Sequence, residues 1–246
     1  MKIDLQTAKE AGEKISIEGS SVRFDKGPTS ISVVTKSAPQ TQDSQITAQV
    51  QSISMSSGPV QGRFADAGIV SASFRAEMNN LPGQDAKVST SLSKTPTPQV
   101  QEAIQRAVGD KGYRLDSVAY TMQVEKDNLE DKKDIGQATV KMSVSPGWVL
   151  NHGGISYTKI ARFADDTTSQ VLDTQFVGLD SSQNMVFSGT SPGGLSIFAL
   201  ISVKAQQDTA STQTTSESSG FSNPLAGLLL LISVLFILGL WVRKKR

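Results

Sequence analysis

The chain has 246 residues, of which 37% are apolar, 19% charged and 6% aromatic, with one histidine and no cysteine. Its 24 lysines and arginines balance 23 acids, and four of the cations close the chain, so everything before Arg243 is mildly acidic; that excludes the basic excess of a nucleic-acid binder. Without cysteine there are no disulfides, thiolate zinc sites, iron–sulfur clusters or thiol catalysis, and a single histidine excludes a poly-histidine metal centre.

In chain order, the first 65 residues read as short strands between polar, Gly- and Pro-bearing turns. Ile15, Ile17, Val22 and Phe24 alternate with polar neighbours, Ile31–Val34 follows, then Ile46–Met55. Their composition fits the end of a larger β-rich unit. Thr97 can cap a helix, Pro98 suits its first position, and Val100, Ile104, Ala107 and Val108 form one apolar stripe before Gly109. This one short helix is expected to cover an open end of a sheet.

Period two then dominates. Val118, Tyr120, Met122 and Val124 alternate with Ala119, Thr121, Gln123 and Glu125, and Val140, Met142 and Val144 do the same. Trp148, just after Pro146-Gly147, is expected to plug the end of the fold where that strand turns out. Ile155, Tyr157, Ala161 and Phe163 read as another strand, and Leu172–Val177 and Met185–Phe187 flank a turn-rich connection. Gly193-Gly194 permits a sharp turn into Leu195–Val203, which is apolar on both faces and so predicts a central, covered strand. The fold class is mainly β: an antiparallel β-sandwich with one short helix.

Candidate chemistry is sparse. His152 lies in Asn151-His152-Gly153-Gly154, a turn composition that predicts a solvent-facing ring. Lys126, Lys132 and Lys133 neutralise Asp127, Glu130, Asp131 and Asp134, which reads as a solvated loop lacking the spacing of an EF-hand. Asp165-Asp166 with Asp173 or Asp180 is a loop-borne Ca²⁺ alternative whose convergence nothing in the sequence fixes. No Gly-Lys-Ser/Thr phosphate loop and no serine elbow occurs, so no enzymatic activity, metal or cofactor is expected.

The C-terminal region carries the strongest physical signal. Asp208–Ser219 is mostly Ser and Thr, a composition of plain linkers and of O-glycan-bearing stalks. Leu225–Val242, with Leu235 near its middle and Trp241 at its edge, holds no charge. As a helix it would span ~27 Å, close to a hydrocarbon core. Arg243, Lys244, Lys245 and Arg246 follow directly, so the positive-inside rule places the C-terminus in the cytoplasm and the body outside. Met1–Glu10 contains no apolar signal-peptide region. Either the true start lies upstream, which is the expectation, or the protein is tail-anchored against the charge rule. Ser219-Gly220-Phe221 only partly matches the Pro-Gly-Phe motif of archaeal sorting tails, so the span is expected to be a retained anchor.

Three separated stretches then fall into a familiar order. They are Gly68-Ile69-Val70-Ser71-Ala72-Ser73-Phe74-Arg75-Ala76-Glu77, the strand Ala138–Val144 leading to Ser145-Pro146-Gly147-Trp148, and Thr190-Ser191-Pro192-Gly193-Gly194-Leu195-Ser196-Ile197-Phe198-Ala199. Between the last two, Arg162-Phe163-Ala164-Asp165-Asp166 is similar to an Arg-plus-acidic hairpin. Over residues 66–203 the chain resembles the PGF-pre-PGF domain of archaeal, methanogen-type cell-surface proteins, with Pro192-Gly193-Gly194-Leu195 in place of the family's Pro-Gly-Phe. The resemblance implies a membrane-proximal envelope domain without enzymatic activity. Pro146, Trp148, Pro192, Gly193 and Phe198 are read as structural. The expected organisation is a β-rich segment (1–65), the sandwich (66–204), a stalk (205–222), a transmembrane helix (223–242) and a basic tail (243–246). The expected function is a non-enzymatic, membrane-anchored surface protein with a structural or adhesive ectodomain. Its partners would be the lipid bilayer and other envelope proteins or glycans, and no nucleic acid. The alternative is a ligand-binding or sensory ectodomain, or the membrane-proximal part of a larger surface enzyme.

Overall fold

The computed structural model describes residues 2–4, 13–83, 85–164 and 168–206. Residues 223–246, where the span and basic tail are expected, and all of the stalk after Gln206 lie outside the described residues. No helix among the described residues is long and apolar enough to cross a membrane.

In chain order the strands begin with β1 (Lys2–Asp4), β2 (Lys14–Glu18), β3 (Ser21–Lys26), β4 (Thr29–Thr35), β5 (Gln40–Gln42), β6 (Gln45–Thr47), β7 (Val50–Ser57), β8 (Val60–Phe64), β9 (Gly68–Met78) and β10 (Lys87–Ser93). Helix α1 (Pro98–Gly109) leads into β11 (Tyr113–Asp127) and β12 (Ile135–Val144), and helix α2 (Pro146–Asn151) precedes β13 (Thr158–Phe163). Then come β14 (Ser169–Val171), β15 (Thr174–Leu179), β16 (Met185–Ser191) and β17 (Ile197–Ala205).

The chain is mainly β, and its ladders are antiparallel. The large sheet runs β15-β16-β12-β9-β7-β4-β3-β2, with β8 also paired to β9; a second runs β10-β11-β17-β13-β14, and β1, β6 and β5 form a small third. Alternation dictates how the two larger sheets meet. Val70, Ala72, Phe74, Ala76 and Met78 of β9, and Val140, Met142 and Val144 of β12, share one core with Tyr120, Met122, Val124, Phe198 and Leu200 of the second sheet. β17 lies at the centre of its sheet as its apolar run predicts. Phe198 and Leu200 enter that core, while Ala199, Ile201 and Val203 meet Val100, Ile104 and Val108 of α1.

Register defines two ends. At one, Val144 pairs with Met185, Ser143 with Ser71 and Thr158 with Ser202, and the Tyr120 hydroxyl donates to Ser71 O at 2.7 Å across the core. This is the α2 end. Ala205, the last residue of β17, pairs with Tyr113 there. At the far end, Phe163 and Gln123 both pair with Ile197, and Ile135 pairs with Met78.

Several expectations are corrected. α1 starts where the cap predicts, with Val100 N donating to Thr97 Oγ1 at 3.4 Å, but it covers a sheet face rather than an open end. A bulge between Val118 and Tyr120 places Ala119 in the main core beside Tyr120 and turns Val118, expected to face inward, toward α1 instead. Among the described residues there are two α-helices, not one. Ser145 caps α2 by accepting from Trp148 N at 3.3 Å, and Pro146 sits at its first turn, repeating the Thr97-Pro98 arrangement. Ile155–Tyr157 is a 3₁₀ turn rather than a strand, because Gly153 and Gly154 turn the backbone to positive φ just before it. The large sheet runs across residues 65 and 66. β7 and β8, before that point, both pair with β9, after it, although Val22, Phe24, Val33 and Ile46 keep a small core of their own.

Candidate functional site

The far end holds the features that depart from plain packing. On β11 the inward phase that buries Tyr120, Met122 and Val124 continues to Lys126, and on β13 the phase of Ile160 continues to Arg162. Two cations are therefore carried to the rim of the core, with side chains 7% and 8% exposed. Asp131 answers them. Its Oδ2 lies 2.6 Å from Lys126 Nζ and 3.7 Å from Arg162 Nη2, and its Oδ1 accepts from Leu195 N at 3.0 Å. Arg162 Nη2 donates to Gly193 O at 2.7 Å, and Lys126 Nζ donates to Leu195 O.

The segment Pro192–Leu195 is thus clamped by charges from β11, β13 and the loop after β11. Pro192 is exposed and Gly193 buried. Gly194 has φ +89° and faces the Asp131 carboxyl so closely that a Cβ there would fall 2.6 Å from its carbon. The turn made by Gly193-Gly194 has the form expected, but its second glycine also clears room for a carboxylate. The solvated-loop reading of Lys126–Asp134 is corrected at Lys126 and Asp131; Lys133 and Glu130 do form an exposed pair. Beside the clamp lies a cavity of about 380 Å³ lined by Asp131, Lys132, Arg162, Ala164 and Gly193.

A second cavity of about 330 Å³ opens between β3, β4 and β7 on one side and β10 and β11 on the other. Phe24, Ile31, Met55, Val88 and Leu129 line it with apolar surface, while Lys87, Glu125 and Asp127 are among its charged lining groups. Size and lining match a small apolar or amphipathic ligand. Leu129 borders both cavities. Sequence reasoning missed both, because their walls are assembled from strands up to a hundred residues apart.

At the α2 end, serine, histidine and aspartate come together in the wrong order for hydrolysis. Asp116 is the unpaired residue of a bulge between Leu115 and Ser117, which re-aims its side chain. Its Oδ2 lies 2.8 Å from His152 Nδ1 and accepts from Ser202 Oγ at 3.1 Å, and its Oδ1 pairs with Lys204 Nζ. The carboxylate separates the serine from the imidazole, whereas an activated nucleophile needs the imidazole next to the hydroxyl. Ser202 is also fully buried. His152 is not the solvent-facing ring expected: it stacks on Trp148, centroids 4.7 Å apart, and ties α2 to β11.

Trp148 and Phe198 are buried as expected, in one core, whereas Pro146 is exposed at the start of α2. Leu225, Leu235, Trp241, Val242 and the closing cations lie outside the described residues, as do Asp165 and Asp166. Asp180 Oδ1 instead accepts from Ser182 N and Asn184 N and shapes the β15–β16 turn. Among the described residues no three metal-ligating side chains converge.

Hydrogen bonds from Lys204 and His152, reinforced by Ser202, hold the Asp116 carboxyl at about 2, below its ordinary 3.8. A carboxylate depressed by folding stabilises fully above its unfolded value and loses that contribution as pH falls through the folded one. Stability on the order of 1–2 kcal/mol should therefore disappear between about pH 4 and pH 2. Urea midpoints of the parent at pH 5 and pH 2.5 should differ more than those of Asp116→Asn; equal differences would show that the carboxylate is not linked to folding.

In comparisons with protein-family models, curated proteins and solved structures, nothing matches the chain. Function rests on the geometry.

Proposed function

We propose that this is a membrane-anchored surface protein: a β-sandwich ectodomain displayed outside the cell by a single C-terminal helix, with the basic tail in the cytoplasm. One observation carries the reading. β17 delivers the chain to the α2 end at Ala205, and both cavities open at the far end. Beyond Gln206 come the Ser/Thr-rich stretch, the uncharged Leu225–Val242 and four cations, the order of a stalk, a span and a stop-transfer signal. An anchor at one end leaves the other free to meet envelope proteins or glycans. The role is structural or adhesive rather than enzymatic. A ligand-binding ectodomain is the second reading, favoured by the apolar cavity at the far end.

Alkaline carbonate tests the anchor. The full chain should stay in the membrane pellet, and a chain ending at Ser222 should appear in the soluble fraction. Recovery of the full chain in the carbonate supernatant would remove the reading.

A further inference from the structure

Nine large hydrophobic side chains are exposed among the described residues, and six of them fall at one end: Ile69, Leu150, Ile155, Tyr157, Val177 and Leu179. Register puts them there. Leu179 pairs with Met185, which pairs with Val144, the residue before the Ser145 cap of α2. Gly178, after Val177, pairs with Val186, opposite Ser143. Ile69 lies two residues before Ser71, which also pairs with Ser143. Leu150 lies in the last turn of α2, and Ile155 and Tyr157 bound the 3₁₀ turn leading into Thr158.

The exposure is large where it matters. Leu150 is 74% exposed and Leu179 55%. Buried neighbours show that this is not loose packing. Trp148 and Val149, adjacent to Leu150, are 2% and 0% exposed, so α2 is firmly seated with one side turned outward. Scattered exposed apolar residues are ordinary, but a group at one end marks a contact surface.

The same end is where the chain leaves for its apolar segment. Residues 207–224 supply at most about 60 Å of chain before Leu225. We infer that the α2 end rests against the bilayer, with Leu150, Ile155, Tyr157 and Leu179 entering the lipid headgroup region. This inference rests on the anchored reading proposed above and goes beyond it, because an anchor alone would let the body stand clear of the membrane. Apolar side chains at such a surface gain by entering the headgroup boundary, and tyrosine is at home there. His152 joins α2 to Asp116 of β11, and Lys204 of β17 pairs with the same carboxylate.

The chain has no cysteine, so single labels are unambiguous. Leu150→Cys, Leu179→Cys and, at the far end, Glu130→Cys full-length proteins would each carry a bimane fluorophore. They are reconstituted into phosphatidylcholine–phosphatidylglycerol vesicles containing a headgroup nitroxide lipid. Quenching at positions 150 and 179 should exceed that at 130 at least about twofold, since only the former lie within the headgroup layer. Equal quenching at all three positions in protein that floats with the vesicles overturns the inference and leaves the anchor standing. Protein that fails to float removes the anchored reading, and this one with it. Loss of lipid quenching together with energy transfer between labelled copies would assign the surface to a second copy of the chain, again overturning it.

Discussion

Replacing Trp148 by alanine should lower stability by about 3–5 kcal/mol, the usual cost of deleting a buried indole. The ring is 2% exposed, packs in the main core and supports His152 at a centroid distance of 4.7 Å. Its loss leaves a void under α2 and frees the imidazole that holds Asp116, so packing and that hydrogen bond fail together. Single domains have only about 5–15 kcal/mol to lose, and the variant should be visibly less resistant to urea. Trp148→Phe separates the two contributions. The indole Nε1 is buried with no hydrogen-bond partner, and removing an unsatisfied donor returns part of the lost packing. The phenylalanine variant should therefore lie much closer to the parent. An alanine variant with the parent's urea midpoint would show that the indole does not carry this core.

Gly194→Ala is expected to cost about 2–4 kcal/mol, from two sources that a second substitution separates. A left-handed backbone penalises any Cβ by roughly 1 kcal/mol, and φ at Gly194 is +89°. The remainder comes from the Asp131 carboxyl, whose carbon would lie 2.6 Å from the new methyl. Asp131→Ala should itself destabilise, because it strips Lys126 and Arg162 of a shared carboxylate at the core rim and leaves Leu195 N without its acceptor. In the Asp131→Ala background, however, Gly194→Ala should cost much less, leaving the backbone penalty and the approach of the remaining Cβ at position 131, 3.0 Å away. A double-mutant cycle on urea midpoints therefore predicts strong coupling. Additivity would mean that the glycine and the carboxylate do not compete for the same space.

Much of the β framework was legible because its signals are local. β12 alternates cleanly, and β17 reads as covered on both faces because it is. α1 announces itself through Thr97, Pro98 and a stripe at helical spacing. α2 was missed because six residues containing Gly147 give no periodicity, although Ser145-Pro146 repeats the signal seen at Thr97-Pro98. Ile155 and Tyr157 imitated a strand by alternating, while the turn was set by the two glycines before them.

The clamp at the far end was hidden differently. Its partners lie 5 to 69 residues from Lys126, and a mixture of charges looks solvated when read along the chain. One clue was present. Extending the inward phase of β11 by one step reaches Lys126, and a cation on a core-facing position demands a buried counter-charge. The cavities had no comparable clue, since their shape depends on how two sheets diverge.

The position of β17 sets an order for synthesis. Among the described residues it is the last strand made, yet it stands between β11 and β13 and pairs with both. Until Ile197–Ala205 has left the ribosome, the smaller sheet consists of two separate strand pairs, β10-β11 and β13-β14, whose inner edges lack their common partner. Such edges invite pairing with other chains. The smaller sheet therefore waits with its central slot vacant until β17 arrives, and closing that slot is a single late event. Whatever shields those two edges during translation determines how much of the protein ever reaches its final form.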